Sequence, residues 1–350
     1  MTTPDVTYGR SDRAARIEEL QRRLVDELDP LASVAYDLRW SWIRGGGSVF
    51  AAIDAHRWRL AGRNPVKFLF ELTHDRQVAA AARPEVVEGV RWLVGEMDAE
   101  PIRRQAPGAT FEGSVAYFSA EFGVHASLPG YSGGLGVLAG DVLKEASDRG
   151  LRMVGVGLFY RRGYFSQRLD ISGTQQEYWL EHDPAELPMA LVHGDDGEPL
   201  RLVVTLFGRS ILFQVWCVQI GSVSLLLLDA ELPENDPVAR WTTARLYDGN
   251  THVRLAQYGL LGIGGARVLE ALGIEPDVLH LNEGHPALAA LELVARRVEQ
   301  GTALDQALEE VRRRVVFTTH TPLQAGNESY PPEQFLDAFG ELAGRLGLEG

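Results

Sequence analysis

SVAYFS (114–119), GGLGVLAGDVLKEASDRG (133–150) and RMVGVGLFY (152–160) together decide the fold. The first and last are short apolar runs rich in β-branched and aromatic residues, which is how a buried strand reads. Between them Leu138, Val142 and Ala146 recur at the helical period, a glycine loop stands at the head, and Gly150 supplies a natural stop. Strand, helix and strand in that order form a βαβ unit, and such a crossover joins parallel strands. The alternation resumes downstream with a helix over 251–272, a strand DVLHLN (277–282), a helix PALAALELVARRVEQ (286–300), a strand RVVFTTH (314–320) and a helix over 332–347. This predicts an α/β fold with a doubly wound, mostly parallel sheet.

Two regions depart from that rhythm. Residues 161–235 read as β-rich: RLVVTLF (201–207), ILFQVWCVQI (211–220) and SVSLLLLD (222–229) are joined by Gly208-Arg209 and Gly221, and are expected to form an antiparallel insertion. Residues 1–110 read as an all-helical extension, with helical patterns over 14–28 and 31–43 and Asn64-Pro65 and Arg83-Pro84 as punctuation. Residues 1–12 are polar and expected to be loose, and 100–113 reads as a linker. Two domains are therefore expected, 1–110 and 111–350.

Composition narrows the function classes. The 350 residues carry 34 basic and 48 acidic side chains, a net charge of −14. That argues against nucleic acid or an anionic membrane as the default partner. One cysteine, Cys217, excludes an intrachain disulfide framework and a cysteine-rich zinc site. No signal peptide and no long apolar run is present, so a cytoplasmic protein is expected. Lysine occurs only as Lys67 and Lys144.

Three segments place polar residues at strand ends, where open α/β sheets bind ligands. The first is the loop Tyr131-Ser132-Gly133-Gly134-Leu135-Gly136. Glycines let a backbone approach a ligand, and amides at a helix N-terminus suit an anion. A tight turn needing glycine is the other reading of the same residues. A dinucleotide fingerprint is disfavoured, because the strand ends near Ser119, well before the first glycine. The same gap disfavours Ser132 as a nucleophile, and no Walker lysine is present. The second segment is His280-Leu281-Asn282-Glu283-Gly284-His285-Pro286, read as either a polar cleft edge or a capped helix start. The spacing of His280 and His285 is wrong for a zinc helix, and no metal site is expected. The third segment, Thr318-Thr319-His320-Thr321-Pro322, presents either a histidine to the cleft or a satisfied strand end. Trp40, Trp42 and Trp58 are expected to pack the extension, and Arg161-Arg162 to be a solvated pair.

With these motifs in this order, the sequence resembles the α-glucan phosphorylases, the glycogen, starch and maltodextrin phosphorylase family, in the shorter bacterial branch with a helical N-terminal extension. Leu38-Arg39-Trp40-Ser41-Trp42 and Arg63-Asn64-Pro65-Val66 resemble that extension. The core match runs from Val115 to about Pro331, through Tyr117-Phe118-Ser119-Ala120-Glu121-Phe122, the glycine loop, Leu281–Pro286 and Phe317–Pro322. The resemblance implies the N-terminal domain of a GT-B type glycosyltransferase. In the implied reaction orthophosphate cleaves a terminal α-1,4-glucosyl bond and releases glucose 1-phosphate, with pyridoxal 5'-phosphate as cofactor. It implies His320 as the catalytic-cleft histidine contacting the glucosyl unit. It implies substrate and phosphate binding by Gly133, Gly134, Leu135, Gly136, Asn282, Glu283 and His285, and a cofactor-side role for Glu121.

The pyridoxal lysine and most basic phosphate ligands of the family lie in a second domain, and neither Lys67 nor Lys144 matches their motif. The chain is therefore expected to be the amino-terminal part of a longer enzyme, a gene fragment or a truncated sequence, inactive by itself. A glucosyltransferase of the glycogen-synthase type, using a nucleotide sugar, is the rival enzyme, and a non-catalytic glucan-binding fragment is the rival of another class. Oligomerisation, allosteric control and glycogen against maltodextrin preference are not legible.

Overall fold

Eight strands and the helices between them bury one continuous sheet. The structure, a computed structural model, describes residues 11–99, 111–321 and 328–348. Most of the expected linker over 100–113, most of the loose N-terminus and Pro322 lie outside the described residues.

The strands are β1 (Ser114–Phe118), β2 (Arg152–Leu158), β3 (Ser166–Leu169), β4 (Gln175–Tyr178), β5 (Ala190–Leu191), β6 (Arg201–Leu206), β7 (Arg209–Ile220), β8 (Val223–Asp229), β9 (Val278–Asn282) and β10 (Val315–Thr318). The main sheet runs β10-β9-β1-β2-β8-β7-β5, with β6 also on β7. From β10 to β8 every pairing is parallel. After β1 the chain builds outward through β2, and later it returns to add β9 on the other side of β1. The chain direction therefore reverses between β1 and β9, and crevices open at such a switch point.

The β-rich region differs from expectation. SVSLLLLD does not belong to an insertion: as β8 it pairs parallel with β2, Val154 against Ser224 through Leu158 against Leu228. All seven of its residues are buried. A strand covered on both faces has no alternation to show, and that is why its leucine run is unbroken. β7, β6 and β5 continue the same sheet antiparallel. Only the exposed β3–β4 hairpin stands off as a separate small sheet.

One face of the sheet packs on the helices Thr251–Gly259, Gly265–Ala271, Leu288–Glu299 and Pro332–Arg345. A π-helical turn, Leu260–Gly264, joins the first two, and all five of its residues are buried. A further helix not in the sequence reading, Leu304–Arg312, precedes β10, and Leu304, Ala307, Leu308 and Val311 recur along it at the helical period. The other face packs on the helix Gly134–Arg149 and on Leu38 of the extension. Each fully buried Leu or Phe in these layers contributes about 2 kcal/mol.

The extension builds its own core from Leu20 to Leu93. Trp40, Phe50, Trp58 and Phe68 stack within it, with Phe50 and Trp58 centroids 5.0 Å apart. The expected helix over 31–43 is broken, because Asp37 accepts the N–H of Arg39 at 2.9 Å and that of Gly221 at 2.8 Å. Capping the 3₁₀ turn Leu38–Ser41 and docking on the β7–β8 turn require a non-helical residue there. The helix expected over 14–28 ends at Gln21.

Gly140 sets how closely the β1 exit lies on the helix Gly134–Arg149. A Cβ at Gly140 would stand 2.4 Å from the carbonyl oxygen of Gly123 and 2.9 Å from the N–H nitrogen of Val124, both backbone. A Cβ at Gly134 would meet nothing within 4 Å. Gly140→Ala is therefore expected to lower stability by about 2 kcal/mol or more through overpacking, whereas Gly134→Ala leaves it within about 0.5 kcal/mol or raises it. Urea midpoints of the two variants check the contrast, and equal midpoints contradict it.

Candidate active site

The carboxyl ends of β1, β9 and β10 lie side by side, and all three strand-end segments singled out in the sequence converge there or beside it. β1 and β10 are separated only by β9, a span of about 10 Å.

Glu121, just beyond β1, reaches under the glycine loop. Its Oε2 accepts the N–H of Ser132 at 2.6 Å, the Ser132 hydroxyl at 3.3 Å and the N–H of Gly133 at 3.4 Å. Its Oε1 accepts the Tyr247 hydroxyl at 2.8 Å. Burial, reinforced by the carboxylate beside it, pushes the Tyr247 hydroxyl up, so it remains a donor. Room for the carboxylate exists because Gly136 has no side chain: a Cβ there would stand 2.9 Å from Oε2. The first two amides of the loop are thus taken inside the protein. Those of Gly134, Leu135 and Gly136 open a sixteen-residue helix and have no hydrogen-bond partner among the described residues. These three carry the partial positive charge of a helix N-terminus.

A second chain of hydrogen bonds fixes the histidine. The carbonyl oxygen of Glu121 can only accept, so the Ser119 hydroxyl donates to it at 3.0 Å. Ser119 Oγ then accepts Nδ2 of Asn282 at 3.1 Å. That turns Oδ1 of Asn282, a fully buried residue, toward Nε2 of His320 at 2.8 Å. The Nε2 atom must therefore carry the proton, and in the neutral ring Nδ1 is left as an acceptor. The His320 side chain itself is exposed. His280 lies below it, sharing a 2.7 Å hydrogen bond with Thr318 and standing edge-on to Tyr117.

Glu283 does not face the crevice as a free carboxylate. Its oxygens collect the N–H groups of His320 and Thr321 and the hydroxyls of Thr321 and Thr319, so it ties β9 to the segment carrying His320. Burial pushes its carboxyl up, but those donors outweigh burial and hold it below the usual range. Glu283 also holds a positive φ of 66°, uncommon outside glycine and asparagine. His285 sits beside Tyr247 and Tyr258, with Nδ1 buried and without a partner among the described residues. Burial, reinforced by Arg254, brings its pKa down to about 4. Arg254 in turn pairs with Glu328, which also accepts the Tyr258 hydroxyl at 2.7 Å.

The structure therefore brings Glu121, Gly133–Gly136, Asn282, Glu283 and His320 into one hydrogen-bonded frame, with His285 at its side. Ser119 and Tyr247 belong to it, Arg254 acts on His285 beside it, and none of the three was singled out from the sequence. Ser119 was legible as the polar residue ending the β1 run, whereas Tyr247 and Arg254 carry no local signal. Arg161 is no solvated pair member: it meets buried Asp229 at 2.8 Å, while Arg162 faces Glu181 at 3.6 Å. Trp40 and Trp58 are packed in the extension as expected. Among the described residues no group of three His, Cys, Asp or Glu could hold a metal ion, and no helix is long and apolar enough to cross a membrane.

A family described as "Protein of unknown function (DUF3417)" matches residues 24–128. The chain is 36% identical over 319 residues to a protein named Maltodextrin phosphorylase of Thermococcus litoralis, covering 90% of the chain and 38% of that relative. It is 39% identical over 337 residues to one named Glycogen phosphorylase of Mycobacterium tuberculosis, covering 92% and 39%. A Glycogen phosphorylase of Aquifex aeolicus is 33% identical over 312 residues, covering 87% and 44%. The chain spans about two fifths of the length of these curated relatives, and it resembles their N-terminal part.

Proposed function

We propose that the chain is the N-terminal part of an α-glucan phosphorylase, a glycosyltransferase of GT-B type that uses orthophosphate to release glucose 1-phosphate from terminal α-1,4-glucosyl units of glycogen or maltodextrin in the cytoplasm. The observation that carries this reading is the oriented histidine at the switch point. Nε2–H of His320 is spent on Asn282, so Nδ1 is left to accept a sugar hydroxyl. The Glu283 carboxylate fixes the backbone on either side of that imidazole. Both devices place a neutral acceptor without reorganisation when the sugar binds. The unpartnered amides at Gly134, Leu135 and Gly136 suit an anionic oxygen, phosphate or the polarised end of the glucosyl group.

Pyridoxal phosphate, implied by the resemblance, would need a lysine amine to hold it and would supply a phosphate group for proton transfer. The lysines of this chain do not fit that task. Lys67 lies in the extension, donating to Glu186 at 2.6 Å, and Lys144 is on the helix Gly134–Arg149, 3.4 Å from Asp141. In this reading the residues present here hold the glucosyl side, and the cofactor is held elsewhere.

In the protein that carries this chain, maltodextrin and orthophosphate are expected to give glucose 1-phosphate. His320→Ala is expected to lower kcat/KM by about 100-fold, the scale of one positioned hydrogen-bonding group in a transition state. Transfer of glucose from a nucleoside diphosphate sugar, with no glucose 1-phosphate formed, overturns the proposal in favour of a synthase-type enzyme.

A further inference from the structure

The exit of β1 feeds both halves of the strand-end frame. The Glu121 carboxylate holds the glycine loop, while the backbone carbonyl of the same residue takes the proton of the Ser119 hydroxyl. Sheet register brings the remaining groups together. Phe118 stands opposite Leu281 on β9, and Leu281 opposite Phe317 on β10. One residue further on, Ser119 reaches Asn282, which is in register with Thr318. His320 follows two residues later.

Ser119 and Asn282 are both fully buried. The Ser119 N–H donates to the Val156 carbonyl at 3.1 Å, and the Tyr160 hydroxyl donates to the Ala120 carbonyl at 2.8 Å. The turn that receives the serine proton is therefore pinned on both sides. A carbonyl cannot donate and a hydroxyl has a single proton, so once that proton is spent on Glu121, Ser119 Oγ only accepts. The serine's own satisfaction needs no more than this bond. Its accepting side does something further: it selects which end of the Asn282 amide turns inward, Nδ2 at 3.1 Å. At full burial no solvent stands in for a lost partner. Without Oγ the NH₂ end would face a methyl group, and buried N–H groups are left unpaired less often than carbonyl oxygens. The amide then turns over and presents Nδ2 to Nε2 of His320. The ring, which is exposed, gives up its Nε2 proton to solvent and takes one on Nδ1.

We infer that Ser119 is a positioning residue: its hydroxyl proton, relayed through Asn282, fixes His320 as the Nε2–H tautomer and so makes the site select a ligand group that donates a hydrogen bond to Nδ1. Selection of a sugar hydroxyl rests on the phosphorylase function proposed above, whereas the placement of the ring proton does not.

Long-range proton–nitrogen NMR of the histidine-labelled 350-residue chain reads the tautomer directly, at about pH 8, where a free imidazole is neutral. The His320 signals are those missing from His320→Gln. The parent is expected to carry the proton on Nε2, and Ser119→Ala to carry it largely on Nδ1. Ser119→Thr keeps the hydroxyl and is expected to keep the parent signature. A merely structural role for Ser119 would move the melting temperature and leave the ring nitrogens alone. In the protein that carries this chain, maltodextrins with fluorine in place of one hydroxyl of the terminal glucosyl unit offer a group that cannot donate. At one position the preference in kcat/KM for hydroxyl over fluorine is expected to fall by about tenfold in Ser119→Ala, the other positions keeping theirs. Inductive effects of fluorine are common to both proteins and cancel in that comparison.

The proposal is overturned if the parent ring is protonated on Nδ1, if Ser119→Ala keeps the parent signature, or if Ser119→Thr loses it as alanine does. Phosphorolysis with an unchanged preference at every position overturns the hydroxyl selection alone. A tautomer shift in a protein that carries out no phosphorolysis overturns the proposed function and leaves the proton relay standing.

Discussion

Glu121→Ala is expected to lower the stability of the chain by about 3 kcal/mol, the largest effect of any side chain in the strand-end frame. Glu121 is 2% exposed, and a carboxylate buried to that extent is tolerated only when its oxygens are met. Two contacts are short, the Ser132 N–H at 2.6 Å and the Tyr247 hydroxyl at 2.8 Å. Each is a hydrogen bond to a charged acceptor, and losing one leaves its donor without a partner beneath the loop, at about 1.5–3 kcal/mol apiece. Glu121→Gln keeps the shape and one acceptor oxygen. Its amide cannot accept from the Ser132 backbone and the Tyr247 hydroxyl in their present orientation, so it is expected to cost less, about 1–2 kcal/mol. Urea unfolding monitored by tryptophan fluorescence checks both variants. An alanine variant whose midpoint matches the parent would show that the loop stands without the carboxylate, and the frame derived above would lose its support.

Acid is the second strong lever. His125 and His285 are each held at a pKa of about 4 against an ordinary 6.5, burial being the first cause in both. The nearby Lys144 and Arg63 act in the same direction on His125, and Arg254 on His285, where Glu283 partly opposes it. A depressed histidine pKa means that the folded chain binds fewer protons than the unfolded chain between those values. Stability is therefore complete above pH 6.5 and falls as the pH drops toward 4, by on the order of 3 kcal/mol for each histidine. Glu283, held below the usual carboxylate range, adds a further loss as the pH falls through its folded value. Urea midpoints across this range, alongside the titration of the two imidazole C–H resonances, check the sign. Resonances titrating near 6.5, or a pH slope unchanged in the paired His125→Gln and His285→Gln variants, would remove the basis of this expectation.

Much of the site frame was legible because strand ends are legible. Period-two and period-3.6 patterns are properties of residues within a few positions of one another, so the βαβ unit, the strands ending at Asn282 and Thr318 and the glycine loop follow from the chain itself. The role of Glu121 was not: a carboxylate eleven residues before Ser132 has no local mark of lying beneath it. The same holds for β8, whose uniform burial hides whether its neighbours run parallel or antiparallel.

What the sequence determined alone is where the parallel strands and the helix after the glycine loop lie, and which polar residues stand at their ends, since hydrophobic periodicity and glycine placement act over short spans. The tertiary structure decided which of those ends became neighbours. Tyr247 reaches Glu121 across 126 positions, and Asn282 reaches Ser119 across 163. Only the strand order, with β9 returning to lie against β1, brings such distant groups within hydrogen-bonding reach. That order is set by the packing of whole faces and not by any local pattern.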